Sequence, residues 1–133
     1  MRNDYKIILD IIPNGSKVLD IGCSSGELLS LLNKKDNVHT QGVEINQEEV
    51  VKCLEDGLDV VQGDINQILE DFPHNQFDYC ILTQTIQTVN APDKLLNLLK
   101  KVGKNIIISF DNSNYYKKVF NFSVRGSFDN LLE

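Results

Sequence analysis

Short apolar runs alternate along the chain with longer stretches in which apolar residues recur every three or four positions. After the turn residues Pro13, Asn14 and Gly15, the segment Lys17-Val-Leu-Asp-Ile21 predicts a strand with an acid near its C-terminal end. Leu28, Leu29, Leu31 and Leu32 form a helical stripe behind Gly26, and Glu27 places a negative charge in that helix's first turn, where the dipole favours it. A second strand ends in Gly42-Val-Glu-Ile45. Asn46 follows as an N-cap with Glu49 three residues on, which predicts a helix to about residue 56. Gly57 ends that helix, Leu58-Asp-Val-Val61 predicts a third strand, and Gly63-Asp64 turns into a short helix from near Ile65. Phe77-Asp-Tyr-Cys-Ile-Leu82 predicts a fourth strand. Pro92 opens a helix with Leu95, Leu96, Leu98 and Leu99 on its apolar face, and Gly103 closes it. Asn105-Ile-Ile-Ile-Ser-Phe110 predicts a fifth strand, whose nearly continuous apolar run requires cover on both faces.

Strand and helix in regular alternation specify an α/β protein with a doubly wound, mostly parallel sheet. Ahead of this unit, Tyr5, Ile7, Ile8, Leu9, Ile11 and Ile12 predict a packing helix over residues 3–12. Behind it, Tyr115 to Val124 carries aromatic and aliphatic residues at near-helical spacing, with Ser123, Gly126 and Ser127 blurring its end. If the fifth strand is the sheet's edge, its backbone invites a cover or self-association.

A chain of 133 residues is the common size of one domain and buries a sizeable core. No apolar run reaches the roughly 18 residues of a membrane span, and Met1-Arg-Asn-Asp-Tyr-Lys6 lacks the apolar core of a signal peptide, so the expected location is the cytoplasm, away from membranes. The formal net charge of -6 repels a phosphate backbone and argues against nucleic acid as a partner. That charge is uneven: residues 1–103 hold 9 basic and 16 acidic residues, residues 104–133 hold 4 and 3. Cys23, Cys53 and Cys80 form no C-x-x-C pair and read as free thiols; no spacing of His, Cys and carboxylates suggests a metal.

Ligands of open parallel sheets bind outside the C-terminal ends of the strands. The residues predicted there form one constellation: Asp20, Gly22, Cys23, Ser24, Ser25 and Gly26 after the first strand, Glu44 and Ile45 after the second, Asp64 and Ile65 after the third, and Thr83, Gln84 and Thr85 after the fourth. Gly22 and Gly26 allow a sharp turn and close backbone approach to a ligand. Their G-x-x-x-G spacing departs from the G-x-G-x-x-G of dinucleotide sites, Glu27 opposes a nearby phosphate, and a P-loop's spacing and lysine are absent. S-adenosyl-L-methionine, an adenosine without phosphate, suits this acidic loop better. Glu44 lies 24 residues beyond Asp20, placed to accept two hydrogen bonds from a ribose diol, or else to be an exposed strand-end acid or a partner in a local salt bridge. Asp64 with Ile65 could receive adenine, or Asp64 could cap the short helix. Asp20 could order the loop or meet the methionyl end of the cofactor. Cys23 has no His partner and reads first as loop packing. His39 and His74 sit at a strand start and in a Pro-His-Asn turn, where surface roles prevail over catalysis. No catalytic residue stands out.

The whole chain resembles the MetW family of methionine-biosynthesis proteins, which has the class I S-adenosylmethionine-dependent methyltransferase fold. The resemblance rests on Gly15-Ser-Lys-Val-Leu-Asp-Ile-Gly-Cys-Ser-Ser-Gly-Glu-Leu-Leu29, Gly42-Val-Glu-Ile45, Gln62-Gly-Asp-Ile65, Asp71-Phe-Pro-His-Asn-Gln-Phe-Asp78, Thr83-Gln-Thr-Ile-Gln87 and Ser109-Phe-Asp-Asn112. It implies that Asp20, Gly22 and Gly26 are cofactor-loop positions, Glu44 the ribose acid, Asp64 and Ile65 the adenine-side pair, and Gln84 and Thr85 part of a segment facing cofactor or substrate; a loop-organising hydrogen-bond pair is the other reading of Gln84 and Thr85. The cofactor so implied is S-adenosyl-L-methionine or S-adenosyl-L-homocysteine. Ser24 and Ser25 stand where relatives carry Gly-Asp, Asp111 where they carry proline, and Tyr115-Tyr116 where they carry His-Trp. Relatives also continue through further strands and helices, so a C-terminally truncated version of the fold is expected. The expected division is a single domain over 1–133: an N-terminal helix and turn (1–14), a cofactor-binding core (15–110) and a partial C-terminal extension (111–133). The resemblance further implies an accessory role in homoserine O-acylation beside the acyltransferase MetX or, alternatively, methyl transfer to a small-molecule acceptor.

Overall fold

The structure is a computed structural model that describes residues 2–83, 92–111 and 117–123. Its elements run α1 (Asn3–Ile11), β1 (Lys17–Ile21), α2 (Glu27–Leu32), β2 (His39–Glu44), α3 (Gln47–Glu55), β3 (Val60–Gln62), α4 (Ile65–Asp71), β4 (Phe77–Thr83), α5 (Pro92–Val102), β5 (Gly103–Asp111) and β6 (Lys117–Ser123). One six-stranded sheet has the order β3-β2-β1-β4-β5-β6. The first five strands are parallel, and β6 runs antiparallel to β5. The chain winds outward from β1 to β3 on one side and then from β4 outward on the other, so the order reverses between β1 and β4. That reversal is where open sheets leave a crevice.

Side-chain parity in register sorts the helices into two layers. Val18, Ile81 and Ile107 face α1 and α2 and pack with Tyr5, Ile8, Ile12, Leu28 and Leu32. Leu19, Ile21, Leu82, Ile106 and Ile108 point to the other side, against Leu69 of α4 and Leu95, Leu96, Leu99 and Val102 of α5. Ile106, Ile107 and Ile108 are fully buried, which is why the fifth strand reads as an unbroken apolar run. A smaller cluster of Cys23, Leu29, Val50, Cys53, Leu58 and Val60 fastens α3 beside α2. Among the described residues no helix is long and apolar enough to cross a membrane.

Two expectations are corrected. The segment Tyr115 to Val124 contributes a strand, β6, in place of a helix: Val119 packs toward α1 while Phe120 stacks with Phe122 on the opposite face. β-branched and aromatic residues suit that pleated position, and their three- and four-residue spacing was compatible with either period. As a result β5 is an interior strand, and β6 forms the edge. The third strand also begins two residues later than expected. Leu58 first closes α3: Gly57 N–H donates to the Leu54 carbonyl (3.1 Å) and Leu58 N–H to the Cys53 carbonyl (3.0 Å), with Gly57 at φ +77°. This is a Schellman ending, and it drops the Leu58 side chain into the α3 cluster.

Gly57 and Gly26 share a left-handed backbone but differ in surroundings. A Cβ on Gly57 meets nothing within 4 Å, whereas one on Gly26 (φ +87°) would lie 2.4 Å from Leu58 Cδ1 and 3.0 Å from Cys53 Sγ. The space that Gly26 leaves is therefore used for packing. Gly57→Ala should cost about 1–2 kcal/mol of unfolding free energy through the backbone alone. Gly26→Ala should lose about 1–3 kcal/mol more through overpacking. Urea unfolding of both variants checks this, and equal losses would contradict it.

Candidate functional site

The C-terminal ends of β1 and β2 are joined by a dense set of main-chain bonds. Gly22 N–H and Cys23 N–H both donate to the Val43 carbonyl (2.8 and 3.1 Å), and Gly26 N–H closes the loop on the Cys23 carbonyl (3.0 Å). Ser24, at φ +52°, turns its amide toward Glu44, which accepts it at Oε1 (2.8 Å). The other oxygen, Oε2, accepts from Asn46 N–H (2.9 Å). Glu44 thus ties the loop after β1 to the loop that opens α3, and it does so while only 9% exposed. Each of its oxygens has one backbone donor, and a carboxylate oxygen can accept a second hydrogen bond. The salt bridge that was its alternative reading is replaced by these amide bonds.

On the other side of the loop, the Cys53 thiol donates to the Ser24 carbonyl (3.2 Å). Cys23 is buried, and Gly42 makes room for it: a Cβ there would sit 2.7 Å from Cys23 Sγ and 2.8 Å from Leu29 Cδ1. Burial, followed by the field of Asp20, pushes the Cys23 thiol up, so the side chain is an uncharged packing group. Cys23 offers the loop its backbone. The sequence reading does not place Gly42 or Cys53 in the site; the signal available for Cys53 is its place, with Val50, on the buried stripe of α3.

Asp20 stands one residue before the end of β1, in register with Gly42 and Ile81, and is 1% exposed. Among the described residues its buried Oδ1 has no hydrogen-bond partner. Burial, then the neighbouring Glu44, pushes its carboxyl up to about 8, with Arg2 acting in the opposite direction. The same parity that places Asp20 on the α1 side of the sheet places Thr83 of β4 and Ser109 of β5 there, and these two are register partners.

The remaining residues of the constellation are more open. Ile45 is 67% exposed, an apolar side chain beside the Glu44 carboxylate position. Gly63 N–H donates to the Glu44 carbonyl (3.0 Å) and brings the third crossing to the same edge. Asp64 is exposed and caps α4 by accepting from Asn66 N–H (2.9 Å), the capping role its position allowed. Ile65 is half-buried against the larger core, and Thr83 is half-exposed at the end of β4. Gln84 and Thr85 lie outside the described residues. His39 and His74 are exposed, at the start of β2 and ahead of β4, at the opposite edge of the sheet.

A raised carboxyl pKa makes a signed statement about stability. Burial holds the proton on folded Asp20 up to about pH 8, while the unfolded chain releases it at the ordinary aspartate value of 3.8. Its contribution is therefore fully present below that value and is lost as pH rises to about 8. Asp20→Asn should accordingly gain stability relative to the parent chain between pH 5 and 8. Denaturant titrations across that range check it; a constant difference between the two proteins would contradict it.

The chain is 40% identical over 120 residues to the bifunctional methionine biosynthesis protein MetXA/MetW of Rhodopirellula baltica, covering 84% of this chain and 19% of that protein. It is 30% identical over 101 residues to carboxy-S-adenosyl-L-methionine synthase of Campylobacter concisus, covering 73% and 42%. A solved SAM dependent methyltransferase from Archaeoglobus fulgidus superposes with a TM-score of 0.70 at 26% identity, over 82% of this chain and 51% of that one. The chain spans less than half the length of these two curated relatives. Residues 2–130 match the family described as Methionine biosynthesis protein MetW. With its mixed α/β sheet and class I methyltransferase neighbours, the chain belongs to the MetW family.

Proposed function

We propose that the chain binds S-adenosyl-L-methionine or S-adenosyl-L-homocysteine at the C-terminal edge of β1 and β2, and that it acts as an accessory factor in methionine biosynthesis supporting homoserine O-acylation. The observation that carries the binding reading is the pair of buried strand-end acids, Asp20 and Glu44, one with an orphaned oxygen and the other with unused acceptor capacity on both oxygens. A ribose diol needs two adjacent acceptors, which Glu44 provides. The loop from Gly22 to Gly26 would border the cofactor through its backbone, Ile45 and Ile65 would contribute apolar contact, and Asp64 would meet adenine beyond its capping bond. Thr83 and Gln84 complete the proposed set from the fourth strand. The names of the Campylobacter and Archaeoglobus relatives, both built on S-adenosylmethionine, support the same ligand.

The partner reading rests on the Rhodopirellula relative, whose name joins MetXA and MetW in one bifunctional protein. A homoserine O-acyltransferase of the MetX kind is therefore the proposed partner. A second reading, methyl transfer to a small molecule, is favoured by the Archaeoglobus neighbour. The cofactor when bound supplies an activated sulfonium methyl group, and the chain's own contribution would be orientation of the acceptor and exclusion of water.

Calorimetric titration with S-adenosyl-L-homocysteine tests the ligand. Glu44→Ala should weaken binding tenfold or more, which is about 1.4 kcal/mol, with retained thermal unfolding as the fold control. No binding to the folded parent chain would overturn the reading. Asp64→Ala should weaken binding less, and unchanged affinity would leave Asp64 with capping alone. For the partner, addition of the purified chain should raise homoserine acylation by the MetX acyltransferase without methyl release; no stimulation, with methyl transfer observed instead, would favour the second reading.

A further inference from the structure

The outer face of α3 breaks two local rules. Val50 and Cys53 are buried in the cluster beneath the helix, but Val51 and Leu54 are 46% and 56% exposed. Three residues apart on one helix, these two lie side by side. Single exposed apolar side chains need no explanation, whereas an adjacent pair beside a groove does. Val51 is the apolar part of an open groove of about 450 Å³ whose other walls are Gln47, Glu48, Lys52, Glu55 and Asp56, and Leu54 extends that part by one turn. The surroundings are acidic. Residues 47–59 hold five acids, Glu48, Glu49, Glu55, Asp56 and Asp59, against Lys52 alone, so -4 of the chain's formal -6 falls in this short stretch. Among the described residues none of these acids is in an ion pair. Glu55 and Asp56 stand at the C-terminal end of α3, where the helix dipole disfavours a negative charge.

Neither feature serves the fold. Polar residues at 51 and 54 would leave the core as it is, and a lysine at 55 or 56 would suit the dipole better. What the fold supplies is rigidity. Asn46 N–H, ahead of the first turn, donates to Glu44 Oε2 (2.9 Å), and in the last turn the Cys53 thiol donates to the Ser24 carbonyl (3.2 Å), so α3 is fixed to the loops of the candidate site at both ends. A patch held in this way needs little ordering when it is covered. Its charge selects what covers it. The acids repel an anionic lipid surface and a nucleic acid. They oppose a second copy as well, because a two-fold contact through this face sets the acidic rim against itself. The face fits a protein surface that offers an apolar side chain flanked by Lys or Arg.

We propose that the outer face of α3 is the docking surface for a basic partner protein, with Val51 and Leu54 as its apolar anchor and Glu48, Glu55 and Asp56 as the rim that meets the partner's cations. The inference rests on the partner reading above, in which that protein is a homoserine O-acyltransferase of the MetX kind, and adds to it the surface through which the two meet.

Titration of the purified acyltransferase with the full chain, alongside sedimentation of the chain alone, tests this. Val51→Glu and Leu54→Glu should each weaken binding by about tenfold or more, with unchanged thermal unfolding as the fold control, since neither side chain enters the core. Leu54→Ala, which shortens the side chain without adding charge, should fall between. Glu55→Gln combined with Asp56→Asn should weaken binding and flatten its salt dependence while leaving the chain at least as resistant to heat as the parent, a pairing of effects that a merely structural role would not give. Variants that bind the acyltransferase as tightly as the parent would overturn the surface and leave the partner reading standing. A parent chain that does not bind the acyltransferase would overturn both. A parent chain that sediments as a dimer and is dissociated by Leu54→Glu would overturn the proposal by giving the face to a second copy.

Discussion

Glu44 is the tie between the two chain crossings on which the candidate site depends. Taking a carboxylate out of water costs several kcal/mol unless its charge is met by hydrogen bonds. Here two backbone amides meet it, Ser24 N–H from the loop after β1 and Asn46 N–H from the loop before α3, and bonds of this charged kind contribute about 1.5–3 kcal/mol each. Neither loop is regular structure, and neither would hold its course alone. Ser24 occupies a left-handed conformation unfavourable to a residue with a side chain, and its amide bond to Glu44 is the compensation visible in the structure. The Cys53 thiol on the Ser24 carbonyl completes the restraint from the opposite side. A ribose bound at Glu44 would therefore meet an acceptor whose position is already set by two loops, with little ordering left to occur on binding.

Asp20 shows the opposite treatment of the same chemistry a few residues away. It is more deeply buried than Glu44, but one of its oxygens has no donor among the described residues, and Glu44 adds a like charge to the cost of ionising it. A position that served only to support the sheet would be better filled by an apolar residue, as Val18 and Leu19 fill theirs. Retaining a carboxyl there lowers stability near neutral pH and keeps a buried acceptor at the end of β1. Strain of this kind, in which one group departs from otherwise consistent local rules, is expected where a ligand rather than the fold sets the requirement.

The fold was legible because its signals were local. The apolar runs of β1 and β5, the cap at Asn46 and the stop at Gly57 are each decided within a few residues, and the structure places all four as expected. Tyr115 to Val124 failed because its apolar spacing satisfies two periods, and only the pairing with β5, which sequence does not display, selects the strand. At the site, Asp20 and Glu44 were legible from their positions at strand ends. The uses of Gly42 and Cys53 were not, because each depends on a partner brought close by the tertiary fold. The hydrogen bond from Ser109 to Asp4, at opposite ends of the sequence, is the extreme case. Gly26 was legible as a requirement for glycine but not for its reason, since the occupied space beside it belongs to Leu58 and Cys53.

On the proposed reading, cofactor binding and acceptor placement fall to different strands of this sheet. The buried acids and the restrained loops lie on β1 and β2, whereas β4 ends in the hydroxyl of Thr83, whose register partner on β5, Ser109, is already committed to Asp4. Transfer of a sulfonium methyl requires position more than a protein nucleophile, so what decides between an accessory factor and an enzyme is how an acceptor is held near the β4 side of the crevice. The loops around Glu44 serve either outcome equally. If Glu44 holds the cofactor as proposed, its loss removes both functions together, while changes confined to Thr83 at the end of β4 separate them. An accessory protein would tolerate such changes as long as α1 stays fastened through Ser109; a methyltransferase would lose turnover while still holding its cofactor.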